Sequence, residues 1–135
     1  MLFVSYWSCD QVAQPYTLFS EANSGLKFIN QLKNSKELNI LNYLYYYNGA
    51  GVAVADFNND NLQDIYLTGN QVADQLHLNN GGLKFQDITK YSGINNQNGW
   101  TTGVTVVDVN QDGWMDIYVC KVSGHLHLKG HNLLY

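Results

Sequence analysis

The sequence predicts an all-β fold, and three observations support it: an internal repeat, short runs of β-forming residues, and turn residues between those runs. The 135 residues are the length of one domain or of part of one. Hydrophobic residues make up 45% of the chain and charged residues 13%, a globular composition that argues against a disordered tail. Two cysteines are too few for a disulfide scaffold.

The repeat aligns Gly51–Leu67 with Gly103–Val119 at a constant offset of 52 residues. Gly, Val, Val, Asp, Asn, Asp, Asp, Ile and Tyr recur in register. A weaker similarity follows, in which Leu76–His77 resembles Leu134–Tyr135 at an offset of 58 residues. The second copy therefore carries a six-residue insertion, which we place around residues 123–131. A period near 50 residues is typical of propeller blades.

Each copy has the pattern of short antiparallel strands. Gly51–Ala55 is apolar on both sides, which is typical of a strand buried on both faces. The next predicted strands are Asp64–Thr68, Gln75–Leu78 and Leu83–Thr89. Four short strands in about 50 residues make one propeller blade. We therefore predict a fragment of a β-propeller, with about one complete four-stranded blade and part of a second. The pattern before the repeat is weaker, but Leu38, Leu41 and Tyr45 are spaced as one face of a helix.

Each copy also contains an Asp-x-Asn-x-Asp-x-x-x-Asp loop directly after its first predicted strand. Positions one, three, five and nine supply side-chain oxygens, and position seven a backbone carbonyl. The predicted ligands are Asp56, Asn58, Asp60, Leu62 and Asp64 in the first loop, and Asp108, Asn110, Asp112, Trp114 and Asp116 in the second. Oxygen ligands in this number and spacing suit Ca²⁺. A divalent cation also removes the repulsion among three nearby carboxylates, so we predict two structural calcium sites.

These loops differ from an EF-hand. Position twelve is Leu67 or Val119, where an EF-hand requires a bidentate Glu, and strands flank the loops instead of helices. Gly113 stands where a calcium loop turns sharply, and Asn61 takes that place in the first loop, where Asn tolerates the left-handed conformation. The alternative is an ordinary polar turn, since Asp and Asn favour turns without any cation.

These residues resemble the FG-GAP/VCBS repeats of integrin-α-like β-propellers, and are most similar to bacterial relatives of cartilage acidic protein and the ASPIC/UnbV proteins. The stretches that carry the resemblance are Tyr46–Asp60, Leu83–Thr89, Ser92–Ile94, Gly99–Val104, Asp108–Val119 and Asn132–Tyr135, with Ser24–Phe28 and Asn39–Tyr43 in the lead-in. The departures are a missing Gly-Ala-Pro, Asn61 in place of the loop Gly, and His77 where the family usually has Tyr.

The resemblance implies a closed ring, usually of seven blades, so that this chain is a fragment of it. It implies that both loops bind calcium, and that the protein is a non-enzymatic module for binding or adhesion to an extracellular protein or glycan. One alternative is a non-catalytic fragment of a propeller hydrolase or lyase whose active site lies in the missing blades. RNA binding is a third interpretation, but the net charge of −4 and seven basic residues that are all Lys weigh against nucleic acid.

The domain organisation follows from these assignments: a candidate truncated lipoprotein signal at 1–9, a lead-in at 10–46, a first blade at 47–98 and an incomplete second blade at 99–135. Ser8–Cys9 resembles the end of a lipoprotein signal, whose Cys is acylated, although an N-terminal strand with a buried Cys is an equal alternative. The lipoprotein interpretation predicts an exported protein, anchored to the outer membrane of a Gram-negative bacterium or extracellular. No apolar run is long enough to cross a bilayer.

The insertion histidines and the tryptophans are weaker candidates for a functional role. His125, His127 and His131 cluster in the inserted segment, and His-x-His on one strand would point both rings to one face, as a transition metal requires. A solvated loop is the alternative. We predict that Trp100 and Trp114 pack within the blades, and a stacking platform for sugars is the alternative. Cys120 ends a predicted strand and is predicted to be a small buried hydrophobic residue.

Overall fold

A computed structural model describes residues 16–94 and 99–135. In this part the chain is nearly all β, as predicted. A single helical turn, α1, is capped by Ser20 at its start and by Gly25 in the left-handed conformation at its end. The elements in chain order are α1 Glu21–Ser24, β1 Val52–Ala55, β2 Asp64–Leu67, β3 Gln75–Asn79, β4 Phe85–Asp87, β5 Thr101–Val107, β6 Asp116–Lys121, β7 Ser123–His125, β8 Leu128–Lys129 and β9 Leu133–Leu134.

The first sheet contains β1, β2, β3 and β4 in sequence order, and each neighbouring pair is antiparallel. Tyr66 lies opposite Ala53 on one side and Leu76 on the other. Four consecutive strands joined by short turns form a propeller blade. The predicted first blade is therefore confirmed, although β4 is shorter than the predicted strand Leu83–Thr89.

The second sheet contains β5, β6 and β9, and its topology repeats the first three strands of the blade. Tyr118 pairs with Leu134 just as Tyr66 pairs with Leu76, which confirms the offset of 58 residues. The small hairpin of β7 and β8 accounts for the predicted insertion between the second and third strands.

The two sheets pack face to face around one apolar core. The first sheet contributes Ala53, Tyr66 and Leu76, and the second contributes Ile117 and Val119. The sheets approach each other closely at Gly51, where an added Cβ would lie 2.9 Å from the Cγ1 and from the backbone nitrogen of Val104. The absence of a side chain at Gly51 therefore lets β1 and β5 pack closely against each other.

The prediction that the strand at Gly51–Ala55 is buried on both faces is wrong for this chain. Ala53 and Ala55 face the core, but Val52 is 62% exposed and Val54 51% exposed. The alternation of side chains correctly predicted that both faces of this strand are apolar. The described residues cover only one of them along β1, which leaves a valine pair in solvent.

The lead-in forms turns where the sequence indicated a helix face. Leu41 and Tyr45, two of the three residues of that face, are largely exposed. Tyr43 and Tyr46 are the buried residues instead, and both rings pack against Trp100 with centroid distances of 5.3 and 5.4 Å. The aromatic residues of the lead-in therefore form part of a second, smaller core. This core lies at the end of the sheets opposite the aspartate loops.

A buried side chain, Asn70, joins the lead-in and both sheets. Its amide nitrogen donates to the carbonyl of Gly49 at 2.9 Å and to the carbonyl of Thr101, the first residue of β5, at 2.8 Å. Its side-chain oxygen accepts from Asn30 Nδ2 at 2.6 Å, and its backbone N–H donates to Asn30 Oδ1 at 3.0 Å. Buried amides carry a large cost when unpaired, so this arrangement fixes how the three segments meet.

The N-terminal region cannot be compared with this fold, because Cys9 and the alternatives for 1–9 lie outside the described residues. Within residues 16–94 and 99–135, no helix has the length and apolar character required to cross a membrane.

Candidate calcium-binding loops

The first aspartate of each loop folds the backbone around itself in the same way. Asp56 Oδ1 accepts from the N–H of Asp60 at 3.1 Å, and its Oδ2 accepts from the N–H of Asn61 at 2.7 Å. In the second loop, Asp108 accepts from Asp112 at 3.1 Å and from Gly113 at 2.9 Å. Asp is suited to this role because its short carboxylate reaches backbone donors within its own turn.

The side chains at positions three and five also accept the same hydrogen bonds in both loops. Asn58 Oδ1 accepts from the N–H of Asp60 at 3.1 Å, and Asp60 Oδ1 accepts from the N–H of Leu62 at 2.8 Å. In the second loop, Asn110 and Asp112 accept from the equivalent donors at 3.1 and 2.9 Å. Two segments 52 residues apart thus reach one loop conformation, which indicates that the pattern of Asp and Asn determines it.

The carboxylate at position five of the second loop has a perturbed pKa. The N–H of Trp114, and then the side-chain amide of Asn110, lower the pKa of Asp112 below its usual range. Both bonds favour the charged form. The side chain is therefore held as an anion, which is the form that ligates a cation.

The ninth-position aspartates close each loop from the far side. Asp64 is fully buried, and its oxygens accept from the N–H of Phe57 at 2.9 Å and of Asn79 at 2.8 Å. Asp116 accepts from the N–H of Val109 at 2.8 Å. Each aspartate thus ties the start of its loop to the strand that follows it. Asn79 is a part of this site that the sequence analysis missed, because an Asn at the end of a strand reads only as a turn residue.

The backbone turns twice into the left-handed region in each loop. At position six φ is 66° for Asn61 and 88° for Gly113, as the sequence predicts for this position. At position four φ is 57° for Asn59 and 61° for Gln111, which the sequence analysis did not anticipate. Asn59 carries a weak signal for this conformation, whereas Gln111 carries none.

The donor set of each loop fits a hard divalent cation. The side chains at positions one, three and five surround a single turn, and all of them present oxygen, the ligand atom that Ca²⁺ prefers. A carboxylate oxygen that accepts one N–H retains a second lone pair for a metal. Across the described chain, no three His, Cys, Asp or Glu side chains lie close enough to hold a metal ion by themselves. The three aspartates of each loop therefore do not converge on one point in this structure, and a cation would have to draw them together with the amide at position three and the carbonyl of Leu62 or Trp114.

The two loops lie beside each other and line an open cavity of about 530 Å³. Asp56 and Asp108 both line the cavity, together with apolar residues of β1 and β5. Asn59 Nδ2 crosses it to donate to the carbonyl of Gly113 at 3.2 Å. Because that carbonyl belongs to the peptide before Trp114, position four of one loop contacts the ligand-bearing segment of the other.

The histidines of the insertion do not form the geometry that a metal site requires. His125 ends β7 while His127 lies in the following turn, so the two rings do not share one strand face, and that part of the prediction is wrong. The ring of His125 instead packs against Tyr43 at a centroid distance of 4.9 Å. The left-handed conformation of Leu126 between them explains the difference.

The two tryptophans and Cys120 have different environments. Trp100 is buried, which confirms its predicted packing role. Trp114 is 51% exposed on the second loop, so the prediction that it packs within a blade is wrong. Cys120 is partly buried and unpaired among the described residues.

Comparison with known proteins agrees with this description. Residues 56–119 match the model of the FG-GAP-like repeat, from the first aspartate of one loop to the strand after the other. The match supports an FG-GAP repeat protein and a propeller-type module, and FG-GAP repeats are typically non-catalytic. No curated protein and no solved structure gives a significant match to the chain.

Proposed function

We propose that this chain is a calcium-binding segment of a cell-surface β-propeller, related to the bacterial ASPIC/UnbV-type proteins, and that it serves in binding or adhesion. The observation that carries the proposal is the duplicated loop: six hydrogen bonds of each loop recur in the other, at equivalent atoms. An ordinary polar turn needs only one or two such bonds. A loop that gathers carboxylates around one turn gains most from a cation.

The calcium ions have a structural role in this proposal. Each would be held by the side chains of positions one, three, five and nine and by the carbonyl at position seven of its loop. Bound calcium supplies positive charge that offsets the repulsion between carboxylates, and the loop joins two strands that belong to the core. A site with a dissociation constant of ~10 μM stabilises the folded chain by about 2.7 kcal/mol at ~1 mM calcium.

Titration calorimetry of the whole chain with calcium chloride tests the proposal, together with thermal melts in calcium and in chelator. We expect two sites in the native chain, and one site in each of Asp56→Ala and Asp108→Ala. Glu37→Ala is the matched control, because Glu37 is an exposed carboxylate outside both loops. It removes one negative charge and should leave both sites intact.

A folded chain that shows neither binding heat nor a calcium-dependent melting temperature would contradict the proposal. If Asp56→Ala retains both sites, the first loop does not bind calcium. If Asp108→Ala retains both sites, the second loop does not. Circular dichroism of each variant shows that it is folded before the titration is interpreted.

The proposed partners are an extracellular protein or a glycan, and the proposed location is outside the cell, with Cys9 as the candidate lipid anchor. Fractionation of cells that express the native gene tests the location. We expect the protein in the outer membrane or the medium, with the membrane fraction depleted for Cys9→Ser. A native protein confined to the cytoplasm would exclude both the location and the partners.

A further inference from the structure

A cavity of about 400 Å³ lies where the lead-in, the ends of the two sheets and the β7–β8 hairpin meet. Its walls come from four separate segments of the chain: Leu38 of the lead-in, Gln71 between β2 and β3, Trp100 before β5, and His127 and Lys129 of the hairpin. The cavity is therefore formed between described segments and is not an outer face of either sheet. Its volume is near the lower end of the range for small-molecule sites.

Hydrogen bonds and packing hold these walls in place. Gln71 Oε1 accepts from the N–H of Lys33 at 2.5 Å, and its Nε2 donates to the carbonyl of Lys33 at 3.3 Å. These bonds fix the turn after β2 to the lead-in. Leu38 and Leu128 both pack against the buried ring of Trp100 and its aromatic neighbours, which joins the hairpin to the lead-in. A site whose walls are already fixed loses little conformational entropy when a ligand binds.

The lining combines an apolar floor with a few polar groups at the rim. Leu38, Trp100 and Leu128 form the floor. The side-chain nitrogen of Gln71 carries two hydrogens and uses one for Lys33, so the other is available to a ligand. An imidazole from His127 and an ammonium group complete the rim. Convergent polar groups above an apolar floor are typical of sites for small molecules.

Lysines gather around this cavity although the chain as a whole has a net charge of −4. Lys129 lines it, and Lys33 and Lys36 belong to the part of the lead-in that forms its wall. Lys121 is adjacent as well, because its Nζ lies 3.2 Å from a Cβ built on Gly99, another lining residue. Four of the seven lysines therefore surround the cavity, which favours an anionic ligand.

Two carboxylates in the same region do not cancel this charge. Asp74 is buried, and its oxygens accept from the hydroxyl of Tyr66 at 3.0 Å and from the N–H of Gly69 at 2.8 Å. Glu37 is exposed on the lead-in. Burial lowers the pKa of Lys121, and the charge of Asp74 opposes that shift. A bound anion would further favour the charged form of the lysine.

The chemistry of the lining narrows the class of anion. Phosphate groups are recognised best by the planar fork of arginine, and the chain has no arginine. Lysine is a point charge, which suits a single carboxylate. The amide and the imidazole suit hydroxyl groups, which both donate and accept hydrogen bonds. The apolar floor suits the C–H face of a sugar ring. A carboxylate, hydroxyl groups and an apolar face occur together in an acidic sugar.

We propose that this cavity binds an acidic saccharide, with the carboxylate at Lys129 and His127 and a hydroxyl group at Gln71. The inference rests on the proposed function, because it takes the glycan among the proposed partners and gives its class. It does not require calcium in the aspartate loops, which lie at the other end of the sheets.

NMR titration of the isotope-labelled whole chain with D-glucuronate tests the proposal. We expect shifts of the indole N–H of Trp100 and the side-chain amide of Gln71, with a Kd of about 1 mM for a ligand of this size. D-Glucose, which lacks the carboxylate, should bind about tenfold more weakly. Lys129→Gln should weaken glucuronate binding about fivefold or more and leave glucose binding unchanged. Lys90→Gln, at an exposed lysine outside the cavity, is the matched control.

The absence of shifts at these residues would overturn the proposal, as would equal affinities for glucuronate and glucose or full affinity in Lys129→Gln. Equal binding of acetate or inorganic phosphate would also overturn it, because the site would then recognise anions in general. The dispersion of the same spectra shows that each variant is folded. Calcium calorimetry on the same sample separates the two proposals. Glucuronate binding without calcium binding contradicts only the calcium loops, and calcium binding without glucuronate binding contradicts only this inference.

Discussion

At the scale of single residues, the left-handed positions of the two loops differ in how well the sequence suits them. Gly113 adopts φ of 88° without strain, whereas Gln111 adopts φ of 61° with a side chain. We expect Gly113→Ala to destabilise the chain by about 1 kcal/mol, and Gln111→Gly to stabilise it by a smaller amount, because a Cβ costs about 1–2 kcal/mol in this region. Urea unfolding measures both.

The matched control for these substitutions is Gly103→Ala, since φ at Gly103 is not left-handed and its side is open. It should be neutral or slightly stabilising in a monomeric sample. Equal destabilisation by Gly103→Ala and Gly113→Ala would show that the backbone conformation of the loop is not the cause.

Functional residues could be predicted from the sequence where residue type and spacing were informative by themselves. Aspartates and asparagines of the loops were predictable because their type, spacing and duplication carry the chemistry, and the left-handed Asn61 was predictable from its tolerance. Asn70 and Asn79 were not, because their role depends on carbonyls and N–H groups that come near only after folding. Asn is abundant in this chain, so its occurrence alone distinguishes no position.

At the scale of elements, β3 contains a buried histidine whose protonation is unfavourable. His77 Nε2 lies 2.9 Å from Gln75 Oε1, and its Nδ1 is buried with no partner in the described part of the chain. Burial lowers the pKa of His77 below 6.5, while Asp87 on the neighbouring strand partly opposes this shift. The neutral ring is therefore the form that belongs in the sheet.

The sign of the resulting pH dependence follows from the lowered pKa. The unfolded chain binds a proton near pH 6.5 and the folded chain only at lower pH, so the stability is complete above about 6.5 and falls as the pH drops below it. Urea unfolding between about pH 7.5 and 5.5 should show this loss, and His77→Gln should remove it. His131→Gln, at an exposed histidine, is the control. An unchanged slope in His77→Gln would exclude His77 as the source.

The strands themselves were predictable from alternation and turn residues, and the structure places β1, β2 and β3 within a residue or two of their predicted bounds. The turns of the lead-in were not predictable, because Tyr43 and Tyr46 are positioned by Trp100, a residue more than 50 positions away. The exposure of Val52 and Val54 also has a cause outside the strand, since alternation does not say whether a neighbouring sheet is present.

At the scale of the whole molecule, the relation between the two sheets depends on the close approach at Gly51. We expect Gly51→Ala to destabilise the chain by about 1–3 kcal/mol, because the new methyl group meets Val104 and its backbone at 2.9 Å and the sheets must move apart. Thermal melts against Gly103→Ala, the equivalent position with open space, measure the difference. Equal melting temperatures for Gly51→Ala and Gly103→Ala would show that the contact between Gly51 and Val104 does not determine the spacing of the two sheets.

The buried amide of Asn70 has a consequence for how the molecule opens. Since one side chain bonds to Gly49, Thr101 and Asn30, neither sheet can separate from the other or from the lead-in without breaking these bonds. Amide protons in β1, β2 and β5 should therefore exchange with deuterated solvent at a common rate, set by one cooperative opening. With Asn70→Ala, the same protons should divide into groups with separate rates, so that a single amide makes three segments one exchange unit.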